Sequence, residues 1–218
     1  MESATHTGRH LRCNNWAEMS AICESDNNLA YWPRQKDTEI TRFLDALTKL
    51  DTPPEAFKES LLAPQMSEHL AAHLAPFSKG HEEGFQRLIA DVHELATSFA
   101  TLASSPKLRA TFTLISNDMC RLFHTDAIEL RLLCTYIGPG TLWVPDQYVN
   151  WDNMRESTNE ARVRDLRQVQ QFSPFEVGIL KGAMYEANDG PAVLHRSPTL
   201  TTQETTRVLL RLDSQLAW

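Results

Sequence analysis

Two histidines and one aspartate carry the most specific chemistry in this chain. His124 and Asp126 stand two apart in Phe123-His124-Thr125-Asp126, just ahead of an alternating run from Ala127 to Tyr136. Side chains two apart on an extended strand point to the same side. His195 follows 71 residues later, in another strand-like stretch. Two imidazoles and a carboxylate on one face form the facial set that holds non-heme Fe(II) and leaves positions open for other ligands. The same donors suit Zn(II). The competing reading makes His124 a hydrogen-bonded core residue and Asp126 a turn cap.

Arg207 comes 12 residues after His195, on what reads as the terminal strand. A guanidinium there suits a carboxylate held by two hydrogen bonds. That is the anchor an iron enzyme using 2-oxoglutarate needs for the far end of its co-substrate. Arg211 lies four residues on and faces the same way, so the spacing leaves the choice between the two arginines open. The hydroxyls of Thr135 and Tyr136, on the strand after Asp126, are further candidates to hold the co-substrate. Trp143, Lys181 and Arg196 are placed at the substrate mouth.

Other chemistries fare worse. His69 and His73 share one helix face, but Leu70 stands where zinc proteases have Glu, and no third ligand is evident. There is no Gly-x-Ser-x-Gly and no Gly-rich phosphate loop. No Cys-x-x-Cys pair occurs among Cys13, Cys23, Cys120 and Cys134, which argues against a structural zinc site of cysteines.

The elements that must position these residues fall into two halves. Asp37 to Leu50 predicts a helix capped by Asp37 or Thr38, with Ile40, Phe43, Leu44 and Leu47 on one stripe. Pro53-Pro54 starts a second short helix through Phe57, Leu61 and Leu62, closed by Pro64. Ser67 to Leu74 is a third. His81 to Ala103 is the strongest helix pattern in the chain. After Ser104-Ser105-Pro106 the period changes to two. Strands are expected over Lys107–Ile115, Ala127–Tyr136, Thr141–Val144, Phe175–Leu180, Ala192–Arg196 and Thr206–Leu212. The Gly138-Pro139-Gly140 turn makes a hairpin of the second and third of these. A helix is expected around Glu160 to Gln170, and a turn at Ala187-Asn188-Asp189-Gly190-Pro191.

Helices first and short antiparallel strands after predict an α+β fold. Its core is a double-stranded β-helix (jelly-roll, cupin-like) preceded by an N-terminal helical layer. The divisions are an N-terminal extension over 1–36, a helical layer over 37–104, and a jelly-roll core with the metal site over 105–218. All belong to one compact domain. Trp16, Tyr31 and Trp32 pin the extension to the body.

The chain has 218 residues, 42% hydrophobic and 22% charged, with net charge −7 and an isoelectric point near 5.6. An acidic balance argues against nucleic acid or an anionic membrane as partner. No apolar run reaches the roughly 20 residues a membrane span needs, and the N-terminus lacks an apolar signal core. A cytoplasmic protein with reduced cysteines is expected. Its substrate is expected to be a small molecule or peptide, and its oligomeric state is open.

Several blocks resemble a bacterial family of unknown function, DUF1826. They are Asn28-Leu-Ala-Tyr-Trp32 with Arg34, Phe123-His-Thr-Asp126, Arg131-Leu-Leu-Cys-Thr-Tyr136, Gly138-Pro-Gly-Thr141 with Trp143, Leu180-Lys-Gly182, His195-Arg-Ser-Pro198 and Arg207-Val-Leu-Leu-Arg-Leu-Asp213. The resemblance spans about residues 20 to 214. Some members of that family are encoded beside metal-chaperone GTPases, which implies a link to metal homeostasis for those members. A more distant resemblance is to the 2-oxoglutarate and Fe(II)-dependent dioxygenases. Their His-x-Asp, later His and following Arg fall here on His124, Asp126, His195 and Arg207, and Tyr136 falls where many of them place a co-substrate-binding Tyr. That resemblance implies an oxygenase, and a hydroxylase is expected. The alternatives are a non-catalytic Zn(II)-binding protein and an inactive jelly-roll interaction module.

Overall fold

The strand that follows Asp126 sits in the middle of the architecture, with partners on both edges. A computed structural model gives the fold and describes residues 5–7, 9–116, 120–187, 189–200 and 206–214. Its strands are β1 (Thr5–Thr7), β2 (His10–Arg12), β3 (Leu29–Trp32), β4 (Phe57–Leu62), β5 (Lys107–Ile115), β6 (Leu130–Ile137), β7 (Leu142–Trp143), β8 (Gln170–Gln171), β9 (Val177–Lys181), β10 (His195–Arg196) and β11 (Arg207–Ser214). Its α-helices are α1 (Thr38–Thr48), α2 (Ala63–Leu74), α3 (Glu82–Leu102) and the single turn α4 (Asn159–Arg162). Eight strands form one large sheet in the order β1-β2-β3-β9-β6-β11-β5-β4, and three form a small one, β10-β7-β8. The fold is thus mixed α+β with a large sheet.

Period-two alternation assigns each strand two faces. On β6, Leu130, Leu132, Cys134 and Tyr136 join the large core; on β11, Val208, Leu210 and Leu212 do the same. That core also takes the buried stripes of α1, α2 and α3, so the three helices cover one face of the large sheet. The other face packs Leu133, Leu209, Ile115, Leu29 and Leu180 against Trp143, Phe172 and Val193, which bring in the small sheet. The Arg207, Thr135 and Thr141 side chains meet in this cleft between the sheets.

Helices α1 and α3 form where their apolar stripes predict. Asp37 accepts from the backbone N–H of Glu39 and Ile40 at 2.9 and 3.0 Å, starting α1. Gly84 lets α3 cross α1 closely: a Cβ there would lie 2.2 Å from the Glu39 carbonyl oxygen.

Four expectations need correction. Pro53 to Leu62 is not a helix; its second half is β4, the edge strand beside β5, and Pro64 sits in the first turn of α2. Phe57 and Leu61 are four apart, a spacing that fits period two as well as 3.6, and Pro is tolerated at a helix start. β6 and β7 are not a hairpin. Both edges of β6 are already taken by β9 and β11, so β7 crosses to the small sheet and pairs with β10 and β8. The helix expected around Glu160 to Gln170 shrinks to α4 and a 3-10 turn at Leu166–Gln168, because Val163 bridges to Val149 and Asp165 caps the next turn. The N-terminal segment does more than anchor: β3 pairs with β9, carrying β2 and β1 into the large sheet. Trp16 meets Trp32 edge-on at 6.5 Å on the helical side, while Tyr31 faces Trp143 and Phe172 across the cleft. The turn at 187–191 includes Asn188, which lies outside the described residues. No helix is long and apolar enough to cross a membrane among the described residues.

Candidate metal centre

His124 and His195 are brought together by backbone pairing. They form an antiparallel bridge, each N–H donating to the other's carbonyl at 2.9 and 3.0 Å. The flanking residues hold this bridge in place. Phe123 turns into a small outer core with Val144, Leu194, Val149 and Val163, so its neighbour His124 turns inward. The Phe123 N–H donates to Asn159 Oδ1 at 2.9 Å, and its carbonyl accepts from Arg162 Nη1 at 2.5 Å. Asp126 is on the irregular stretch before β6. That stretch is tied down where Ala183 N donates to the Asp126 carbonyl at 2.7 Å and Gly182 N to that of Glu129 at 2.8 Å.

The three side chains converge. One ligand atom from each of His124, Asp126 and His195 lies within 4.8 Å of the others, and no second such group of three occurs among the described residues. His195 Nε2 is 3.1 Å from Asp126 Oδ2, and His124 Nε2 is 3.7 Å from Asp126 Oδ1. The opposite ring nitrogens are committed. His124 Nδ1 meets the Leu122 carbonyl at 2.9 Å and His195 Nδ1 meets the Val193 carbonyl at 3.1 Å. A carbonyl cannot donate, so both Nδ1 atoms carry the hydrogen, and in the neutral rings both Nε2 lone pairs aim at a carboxylate. Acceptors facing acceptors repel unless a proton or a metal cation lies between them. Carbonyl-fixed tautomers of this kind are what metal-ligating histidines show.

The surrounding charges favour an ionised Asp126. Burial alone would raise the Asp126 carboxyl; the hydrogen bond and charge of His195, then the charges of Arg131 and His124, outweigh it and hold the group well below the usual carboxylate range. Burial first, and then the neighbouring His195, push His124 below the ordinary histidine value, in the direction of the neutral ring.

At the other end of the cleft lies Arg207, 2% exposed. Its guanidinium donates to Thr135 Oγ1 from Nε and Nη2 (3.3 and 3.1 Å) and to Thr141 Oγ1 from Nη2 (2.6 Å). No carboxylate pairs with it among the described residues. Burial pulls it down to about 10, still charged at neutral pH. Gly138 makes this packing possible. It holds φ +79, and a Cβ on it would lie 2.6 Å from the Thr206 carbonyl oxygen, at the start of β11.

The remaining expected site residues divide by face. Thr135 and Trp143 look into the cleft; the Trp143 ring lies 4.9 Å from His10, and its backbone pairs with His195. Arg211 is on the cleft face of β11 but reaches Thr111 Oγ1 at 3.4 Å and Asp213 Oδ2 at 3.5 Å. Three placements are corrected. Tyr136 points to the helices, donating to Asp91 Oδ2 at 2.6 Å beside the Arg34–Asp91 pair. Lys181, also on the helical side, donates to the Glu24 carbonyl at 2.6 Å and lies over the Tyr185 ring. Arg196 sits on the outer face of the small sheet, over the Phe123 ring. His69 and His73 do not converge; they bind Glu59 and the Glu55 carbonyl separately.

Three cleft residues escaped the sequence reading: Thr141, Arg131 and Asp213. Arg131 donates to Asp126 Oδ2 from Nη1, and to Asp213 from Nε and Nη2 at 2.6 and 3.0 Å. Alternation along β6 and β11 puts both Arg131 and Asp213 on the cleft face, but only the register pairs them.

No curated protein matches this chain. Among solved structures it is similar to full-length Neurospora crassa T7H in complex with alpha-KG and 5-formyluracil, at 12% identity and a TM-score of 0.46, covering 99% of this chain and 88% of that one. It is similar to the C-terminally truncated T7H in apo form at 10% identity and 0.47, covering 99% of each. It is similar to a Pseudomonas putida prolyl-4-hydroxylase at 10% identity and 0.33, covering 84% and 97%. Residues 14–213 match the family described as protein of unknown function DUF1826, and the chain belongs to that family.

Proposed function

We propose that the chain is a non-heme Fe(II)- and 2-oxoglutarate-dependent oxygenase, a hydroxylase of a small molecule or peptide, on a double-stranded β-helix. Strand order supports the fold. From β5 onward the chain alternates between sheets: β5 in the large one, His124 beside the small one, β6 large, β7 and β8 small, β9 large, β10 small, β11 large. The carrying observation is the pair of imidazoles whose Nδ1 hydrogens are fixed on backbone carbonyls while both Nε2 atoms face Asp126. Two nitrogens and one carboxylate oxygen suit Fe(II). Iron(II) held there, together with a keto acid and O₂, would supply the oxidation of a substrate C–H bond.

The chain's own residues do the rest. His124, Asp126 and His195 hold the metal. Arg207 receives the far carboxylate of 2-oxoglutarate, and the Thr135 and Thr141 hydroxyls, which accept from Arg207, turn their own hydrogens toward the same anion. Arg207 takes this role over Arg211 because its charge is fully buried and meets only hydroxyls. Trp143 closes the side of the cleft next to His195 and excludes water. Zn(II) fits the same three donors, and a metal-handling protein would need them alone; Arg207 is the observation that favours the oxygenase.

Anaerobic titration with Fe(II) and then 2-oxoglutarate, followed by visible absorption, tests this. A weak charge-transfer band is expected on keto-acid addition, and it should vanish in Asp126→Ala and His195→Ala. Metal binding without the band would favour the Zn(II) reading. No metal binding at all would leave the inactive interaction module.

A further inference from the structure

Asp126 is not free to turn. Its Oδ2 is taken by Arg131 Nη1, and Arg131 is itself clamped by the two oxygens of Asp213 at 2.6 and 3.0 Å. Asp213 and Arg131 are register partners on adjacent strands, so the clamp is anchored in the sheet and not in a loop. The Asp126 and Asp213 side chains are 14% and 5% exposed and that of Arg131 is 12%, which leaves little room for another rotamer. Among the described residues no hydrogen bond reaches Asp126 Oδ1, the oxygen 3.7 Å from His124 Nε2, while Oδ2 also lies 3.1 Å from His195 Nε2.

We infer that Arg131, held by Asp213, is a positioning residue for the metal: it occupies one oxygen of Asp126 and leaves the other as that residue's single ligand atom. The inference rests on the metal reading above and extends it to two residues that touch neither metal nor substrate. A guanidinium presents its N–H groups in a rigid plane. Three of them here fix two carboxylates relative to each other. An Asp126 released from the clamp would offer both oxygens and rotate freely, and outer partners of this kind typically set 10- to 100-fold in metal affinity.

Charge and geometry must be separated in the test. The trio Arg131, Asp126 and Asp213 carries net −1. Arg131→Lys keeps that charge and loses the planar fork. The pair Arg131→Met with Asp213→Asn also leaves −1, on Asp126 alone, with His124 and His195 as its remaining neighbours. Affinity of each for Co(II) and Mn(II) is measured anaerobically by calorimetry, with the visible spectrum of the Co(II) form and the melting temperature with and without metal. Weakening by at least 10-fold in both, with an altered Co(II) spectrum, is expected. Affinity within about twofold of wild type and an unchanged spectrum would overturn the inference, even if both variants melt lower, because that marks a purely structural pair. Should Arg131→Lys fail to fold, the double variant decides. Wild-type protein that binds neither metal would instead sink the metal reading itself, and this inference with it.

Discussion

Arg207→Met should make the apo protein no less stable while abolishing its response to co-substrate. Burial draws the Arg207 guanidinium from its ordinary value down to about 10. At about 1.4 kcal/mol for each unit of pKa, the buried charge costs roughly 3 kcal/mol. The unfolded chain keeps that proton to higher pH than the folded one, so the penalty is complete at neutral pH and lifts only as pH climbs past about 10. Against it stand the hydrogen bonds to Thr135 and Thr141, each worth about 1 kcal/mol net. Methionine removes the charge, fills most of the volume and leaves two hydroxyls to re-pair. The expected change is between zero and about 2 kcal/mol of added stability, in line with other replacements of buried ions by apolar groups. A bound co-substrate reverses the order: at 100 times its Kd it adds about 2.7 kcal/mol to wild type and nothing to the variant. Urea unfolding with and without 2-oxoglutarate and Mn(II) measures both. A variant that loses 3 kcal/mol or more without ligand, or that still gains stability from 2-oxoglutarate, would refute the reasoning.

Tyr136→Phe should cost about 1 to 2 kcal/mol through the lost bond to Asp91 yet leave metal and 2-oxoglutarate affinity unchanged by calorimetry; a weaker co-substrate would return Tyr136 to the site. Gly138→Ala should destabilise by about 1 to 3 kcal/mol and weaken 2-oxoglutarate binding, since positive φ and the nearby Thr206 carbonyl both resist a side chain where β11 begins; an unchanged urea midpoint would contradict this. Of the four thiols, Cys23 and Cys120 are exposed, while burial raises Cys13 to about 11 and Cys134 to about 12. A thiol reagent at pH 8 should therefore titrate two cysteines in the native protein and four in denaturant; a third fast thiol would show that the core opens readily.

The alternation in β5, β6 and β11 was legible because each strand runs eight or nine residues and buries one face under helices. β1, β2 and β3 span only three or four residues, too few for a period to declare itself. The same period-two rule that singled out the candidate metal ligands also limits the other candidates. Thr135 and Tyr136 are neighbours on a strand, so only one faces the cleft, and it is Thr135. His195 and Arg196 are neighbours too, and an inward His195 forces Arg196 outward. For Lys181 the sequence offered no reference residue to fix which face was which. Asp213 and Arg131 are 82 residues apart, and nothing in composition or spacing reveals a register.

Three buried arginines show how the fold distinguishes its own needs from those of a ligand. Arg34, under the helices, has both oxygens of Asp91, the Phe175 carbonyl and the Cys134 sulfur. Arg131, in the cleft, has Asp126 and Asp213. Each is a buried cation matched by carboxylate, the condition under which such a charge is tolerated. Arg207 is the most buried of the three and has two threonine hydroxyls. A fold that supplies carboxylates to the first two supplies none to the third among its described residues. That arginine faces the same cleft as two lone-pair-bearing imidazoles and a carboxylate. The mismatch therefore has a direction: the cleft is short of a cation at one end and of an anion at the other. A divalent metal chelated by a dicarboxylate would meet both deficits at once, whereas a bare zinc site would meet only the first.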